Sequence, residues 1–305
     1  GRVVDEGLEY TDLALGQAAV SLRTTDSTTK MASVTVDAPG SDGGTAPITV
    51  TGIAKGVGMI HPRMATMLSI VLTDATASPG TLRELLRAAA AVTWDQLSVD
   101  GDTSTNDTVF ALASGAAGAA SADDDATARQ TLASALQAVA RDLARQQARD
   151  GEGANALITC QVTGAAHDAD ARAVARAVIS SSLVKAAVHG RDANWGRIAG
   201  AAGNALVAEA AVLEAAGLSH ADAAALAFQP AAVDPARMRI AIAGHLAYDG
   251  AAGGPVGIDK DAARHAMDAE EVLIRVDLGL GDGTGEAYGC PLTEAYVKEN
   301  SEYTT

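Results

Sequence analysis

The run Lys55-Gly56-Val57-Gly58-Met59-Ile60-His61-Pro62-Arg63-Met64-Ala65-Thr66-Met67-Leu68 sets one lysine on a glycine turn and, eleven residues on, a threonine between a small residue and an apolar stretch. Such a threonine could cut its own chain. The small Ala65 leaves room for the Thr66 hydroxyl to reach the preceding carbonyl, and the glycines tolerate the strained backbone that an N→O acyl shift requires. Cleavage would leave Thr66 as a new N-terminus. Its α-amine, with a reference pKa of about 8, could then accept the proton of its own hydroxyl and turn a weak nucleophile into a usable one. On residue types alone the same threonine could be an ordinary strand residue, because Ala-Thr pairs recur in so alanine-rich a chain.

Other polar residues could serve a small substrate. The ammonium of Lys55 could hold a carboxylate or assist proton transfer, or simply face solvent. Glu152, between the glycines of Asp150-Gly151-Glu152-Gly153-Ala154, offers a carboxylate to a cationic amine, or is an exposed turn residue. Thr24 and Thr25 in Arg23-Thr24-Thr25-Asp26 carry hydroxyls that can donate or accept, or cap a turn. Asn106 lies among the hydrogen-bonding groups of Asp102-Thr103-Ser104-Thr105-Asn106-Asp107 and could support the cleavage site or form a turn. The six histidines are scattered without metal-ligand spacing. Gly56-x-Gly58 lacks the third glycine of a dinucleotide turn, and no Gly-Lys-Ser/Thr phosphate loop occurs, so no bound cofactor is expected.

These residues need a scaffold, and the apolar spacing suggests one. Alternation predicts strands over 31–36, 48–53 and 67–73, with a loop over 37–45. Ser78-Pro79 opens a helix whose Leu82, Leu85, Leu86, Ala89 and Val92 recur at helical spacing. Residues 115–125 read as a surface loop. Residues 127–148 read as a helix with Leu132, Leu136, Val139 and Leu143 on one stripe. Further strands are expected over 157–162, 238–243 and 272–278. Helices are expected over 169–188 (with a break near 180–182), 221–227 and 261–269. The mixed order fits an α/β or α+β layered enzyme. A tail such as the last residues is disordered unless something ties it down.

The chain has 305 residues, nearly half apolar, with two Phe, two Trp and five Tyr, so the core should be aliphatic. The net charge of −16, with no basic run, argues against nucleic acid and against an anionic membrane surface. Cys160 and Cys290 are far apart and lack a Cys-x-x-Cys pattern, which suits buried thiols in a reducing compartment better than a disulfide or zinc site. No apolar run long enough for a membrane span and no signal-like start occurs, so a cytoplasmic location is expected.

Ordered blocks along the chain resemble the self-processing ornithine acetyltransferases, also called bifunctional glutamate N-acetyltransferases. They are Arg23-Thr24-Thr25-Asp26, Gly52-Ile53-Ala54-Lys55-Gly56-x-Gly58-Met59, Met64-Ala65-Thr66-Met67-Leu68, residues 99–108, Asp150-Gly151-Glu152-Gly153-Ala154, Ser182-Leu183-Val184-Lys185, Asp192-Ala193-Asn194-Trp195-Gly196-Arg197, Gly289-Cys290-Pro291-Leu292-Thr293 and residues 296–305. The resemblance implies stacked β-sheets flanked by helices, an architecture shared with self-processing aminopeptidases. It implies cleavage between Ala65 and Thr66. Residues 1–65 would then be the C-terminal part of an α fragment, and 66–305 a β fragment headed by the nucleophile. It implies acetyl transfer from N2-acetylornithine to glutamate through an acetyl-Thr66 ester, serving arginine biosynthesis or, in a secondary-metabolism paralogue, another acyl acceptor, with acetyl-CoA as an alternative donor in some members, and assembly of αβ units into an oligomer. It assigns substrate contacts to Thr24, Lys55, Thr66, Glu152, Asn300 and Thr305. Its members carry a further N-terminal stretch with a Thr-Gly pair for the oxyanion hole, which no residue here matches. They commonly carry a lysine shortly after the Glu152 turn, where this chain has Asn155-Ala156-Leu157. Two other readings remain open: an aminopeptidase or amidase that passes the acyl group to water, and a non-catalytic homologue.

Overall fold

The computed structural model describes residues 12–61, 67–103 and 107–302. In chain order the elements are α1 (Asp12–Leu22), β1 (Lys30–Pro39), β2 (Thr45–Lys55), β3 (Leu68–Thr73), α2 (Pro79–Ala91), a 3-10 turn (Trp94–Gln96), β4 (Leu97–Ser98), β5 (Thr108–Ala113), α3 (Ala126–Arg149), β6 (Leu157–Ala165), α4 (Asp168–Ser180) and α5 (Ser182–His189). There follow α6 (Trp195–Gly203), α7 (Ala210–Ala215), α8 (His220–Leu226), β7 (Arg239–Ile242), β8 (His245–Asp249), β9 (Gly254–Pro255), α9 (Lys260–Ala266), β10 (Glu271–Asp277), β11 (Gly283–Gly289) and α10 (Glu294–Glu302). The mixed α/β class expected from the sequence is the class observed.

Two sheets carry the fold. The first has the order β1-β2-β3-β5, antiparallel except for the parallel pair β3/β5. The second has seven strands in the order β4-β11-β6-β10-β7-β8-β9, with β6/β10 and β4/β11 parallel. α3 packs on β1 and β2 and also meets β4, β6 and β11 of the second sheet. Its buried stripe contains Leu132, Leu136, Val139 and Leu143, as the helical spacing predicts. The approach to β2 is close: a Cβ on Gly52 would lie 2.7 Å from Leu143 Cδ1 and 2.9 Å from Val139 Cγ1. α4 covers the other face of the second sheet, against β6 and β11. β6 is therefore buried on both faces over residues 157–160, while its residues still alternate, with Ile158, Cys160 and Val162 on one face and Thr159, Gln161 and Thr163 on the other.

Several boundaries differ from expectation for local reasons. The expected loop over 37–45 shrinks to a hairpin turn, because pairing continues as far as Pro39 opposite Thr45. β1 is an edge strand, where the donor missing at Pro39 is tolerated. The 169–188 helix breaks where the serines suggested it: Ser181 has ψ 115° and its Oγ accepts from Val184 N–H to start α5. Strand β11 lies outside the expected elements. It is glycine-rich, and a Cβ on Gly285 would lie 2.6 Å from Arg172 N and one on Gly289 would lie 2.8 Å from Ser98 O. The glycines are there so that neighbouring backbone can come close. Among the described residues no helix is long and apolar enough to cross a membrane.

Candidate active site

A buried ion cluster fixes the scaffold behind the candidate residues. Lys30, the first residue of β1, is fully buried and places Nζ 2.6 Å from Asp26 Oδ1 and 2.5 Å from Asp150 Oδ2. Asp26 Oδ1 also accepts the N–H of Gly56 at 2.8 Å. Asp150, just past α3, accepts the backbone N–H groups of Ser27 and Thr28 and the Ser27 hydroxyl. Burial opposes a charge on Asp26, but the hydrogen bonds from Lys30 and Gly56 outweigh it and hold the carboxyl below its ordinary range. The turn holding Thr24, the end of β2 holding Lys55 and the Glu152 turn are thereby tied to one point.

Lys55 ends β2, half-buried and in register with Leu68. Its carbonyl accepts from Gln147 Nε2 at 3.0 Å, and the same buried Gln147 accepts the indole N–H of Trp94 at 3.0 Å. The chain then turns through Gly56 (φ 127°) and Met59 (φ 49°). Asp100 holds this turn, accepting from Met59 N–H at 2.6 Å and Ile60 N–H at 3.1 Å. The side chain of His61 meets Ser98 Oγ at 3.0 Å.

Glu152 faces that turn. Its N–H donates to Val57 O at 2.7 Å, and a Cβ on Gly58 would strike its carboxylate, so only glycine leaves the acid its place. The end of the chain reaches the same spot. α10 seats on Gly153, whose φ of 65° and contact with the Tyr296 backbone exclude a side chain. Thr293 Oγ1 donates to Gly153 O at 2.8 Å, and Asn300 Nδ2 donates to Glu152 Oε2 at 2.9 Å. The tail is docked through residue 302.

A cavity of about 410 Å³ opens here, lined by Thr25, Val57, Arg149, Glu152, Asn155 and Glu299 among others. Thr24 is exposed beside it, with its N–H turned to Asp26 Oδ2 at 3.2 Å, and Thr25 is the threonine that lines the cavity. The field is acidic. Burial raises the Glu152 carboxyl, Asn300 opposes this, and the charges of Glu299 and Asp100 raise it further. Burial, then Asp100, Asp102 and Glu152, push the Tyr296 hydroxyl up to about 12. Such a field suits a small cation.

The structure thus brings Glu152 and Asn300 into contact, with Val57 and Gly58 against Glu152, while Lys55 at the head of that turn does not line the cavity. Ala65, Thr66, Asn106 and Thr305 lie outside the described residues. Sequence reasoning alone misses four contributors: Asp100, Asp107, Gly153 and Lys185. Asp100 and Asp107 stand in the Asp-rich block 99–108, from which it singles out only Asn106. Lys185 is 2% exposed and donates to Cys290 O at 2.6 Å. Burial lowers its ammonium pKa, against the pull of Cys290 and Asp100. Among the described residues no three His, Cys, Asp or Glu side chains gather where they could hold a metal ion, and both cysteines are free and buried.

Fold and site together define a two-sheet α/β protein with an acidic pocket formed where a glycine turn, a second turn and the chain's last helix meet. A family model described as the ArgJ family matches residues 3–305, and the chain belongs to that family. It is 41% identical over 298 residues to the arginine biosynthesis bifunctional protein ArgJ of Synechocystis sp., a match covering 95% of this chain and 65% of that protein. It is 42% identical over 287 residues to the protein of the same name from Deinococcus radiodurans, covering 94% and 63%. The chain therefore spans a little under two thirds of the length of these curated relatives. Among solved structures, the arginine biosynthesis bifunctional protein argJ of Bacillus halodurans matches with a TM-score of 0.67 at 39% identity, over 78% of this chain and 100% of that one.

Proposed function

We propose that this chain belongs to a self-cleaving acetyltransferase that takes acetyl from N2-acetylornithine onto Thr66 and passes it to glutamate. The observation that carries the reading is the contact between Asn300 and Glu152 at 2.9 Å. It joins the chain's end to the carboxylate turn beside the acidic cavity, where a cationic ornithine side chain finds its counter-charge. Lys55, at the end of β2, offers the complementary charge for a substrate carboxylate.

In this reading the hydroxyl of Thr66 attacks the Ala65 carbonyl, its proton passes to the departing nitrogen as the peptide bond breaks, and water hydrolyses the resulting ester, leaving the Ala65 carboxylate and restoring the Thr66 hydroxyl. The freed amine then serves as base for the same hydroxyl, which attacks the acetyl amide and releases ornithine. The amine of glutamate takes the acetyl group from the ester and regenerates the hydroxyl. No bound cofactor takes part. Acetyl-CoA as a second donor, an oligomer of αβ units and a cytoplasmic setting complete the proposal, the last in keeping with free buried thiols.

Mass spectrometry of the full-length gene product tests it. Two fragments divided between Ala65 and Thr66 are expected, and N2-acetylornithine should add one acetyl group to the peptide headed by Thr66. Thr66→Ala should remain whole and lose transfer by about a thousandfold or more. Transfer that survives this change would exclude Thr66 as nucleophile, and free acetate in place of N-acetylglutamate would make the protein a hydrolase.

A further inference from the structure

Asp107 stands one residue before β5, and its Oδ1 accepts the N–H of Met67 at 2.6 Å. The same residue is held from its other side, where Thr108 N–H donates to Met67 O at 3.1 Å. Met67 is covalently the residue after Thr66. The strand registers extend this clamp. Lys55 pairs with Leu68, and Leu68 pairs with Thr108, so Lys55, Leu68 and Thr108 form one row across three strands. Met67 and Asp107 lie just outside that row, at the end of the sheet where the chain enters β3 from residue 66. Lys55 is close enough for its charge to act on Asp107.

A carboxylate is a costly choice for this place. Burial raises Asp107 to about 6, against the opposing pull of the Met67 N–H and Lys55. A neutral acceptor such as an asparagine amide oxygen would hold the Met67 N–H without that desolvation. The charge therefore asks for a use other than folding, and groups whose burial is kept despite its cost gather at functional sites.

We propose that Asp107 is a positioning residue for the nucleophile: it clamps the Met67 peptide at the entry of β3, the residue that follows Thr66 in the chain, within reach of the charge of Lys55. The inference rests on Thr66 being the nucleophile of the proposed function. Asp107 acts through the backbone of residue 67 and the charge of Lys55, and no bond to it forms or breaks.

Asp107→Asn separates charge from hydrogen bonding, since the amide oxygen can still accept from Met67. In the full-length gene product, self-cleavage followed by intact mass should slow by about tenfold or more. Thermal unfolding at pH 7 should occur at the same or a higher temperature, because the desolvated charge is gone. A merely structural role predicts the reverse pairing, normal cleavage with a lower melting temperature. Cleavage at the wild-type rate overturns the inference, and so does a variant that melts below the wild type. An uncut wild-type chain would be a different failure, removing the proposed function and this inference with it.

Discussion

Asn300 and Glu152 set the pH behaviour expected of the pocket. Burial raises the Glu152 carboxyl, the Asn300 amide lowers it, and Glu299 and Asp100 raise it again. Replacing Asn300 with alanine removes the opposing influence, so Glu152 should take up its proton at a higher pH than in the wild type. Under the proposed function only the carboxylate would attract the ornithine side chain of the substrate. As pH falls, KM for N2-acetylornithine should therefore begin to climb earlier in Asn300→Ala than in the wild type. Coincident KM profiles would mean that Glu152 is not the group facing the amine. Residue types and resemblance are enough to single out Lys55, Glu152 and Asn300, because each sits in a distinctive short block. Asp100 and Asp107 escape notice for a physical reason: their charges meet backbone N–H groups 40 or 41 residues away in the chain. No local spacing reveals an acceptor whose donor arrives from another strand.

The elements divide in the same way. α3, β1, β2 and the break between α4 and α5 are legible because their determinants are local: a stripe of leucines and valines, alternation, a serine cap. α10 and β11 are not, since the first depends on a bare Gly153 to dock and the second on glycines that admit neighbouring backbone. Lys30 joins several of these pieces, with Asp26 and Asp150 buried against it at the meeting of α3, β1 and the turn after β2. Lys30→Met would leave two buried carboxylates facing each other. The loss should be on the order of 3–5 kcal/mol, read as a lower urea midpoint at neutral pH. The folded-state pKa of Asp26 is depressed, so its stabilising contribution is present at neutral pH and disappears as pH falls through that lowered value. In the variant Asp26, without Lys30, would protonate at a higher pH and shed its penalty, so the gap between the proteins should narrow in acid. A constant gap would count against the ionic account.

At the scale of the whole molecule, alternation of strand and helix is enough for the class of fold. It is not enough for the order of strands, since the parallel pair β6/β10 unites segments more than a hundred residues apart. The ladder between β2 and β3 carries a consequence of its own. Six residue pairs, from Val50 opposite Thr73 to Lys55 opposite Leu68, bind the segment before the Ala65–Thr66 junction to the segment after it. Gln146 of α3 adds two hydrogen bonds to the backbone of Met31, at 3.0 and 2.8 Å. Scission there would thus yield a heterodimer whose halves share one interior and were never separate bodies. They should travel as a single species in gel filtration under native buffer and part only in detergent or strong urea; halves that drift apart at neutral pH without denaturant would contradict it. Evolution could then sever this backbone without any penalty in assembly, because the partner is already folded in place when the bond gives way.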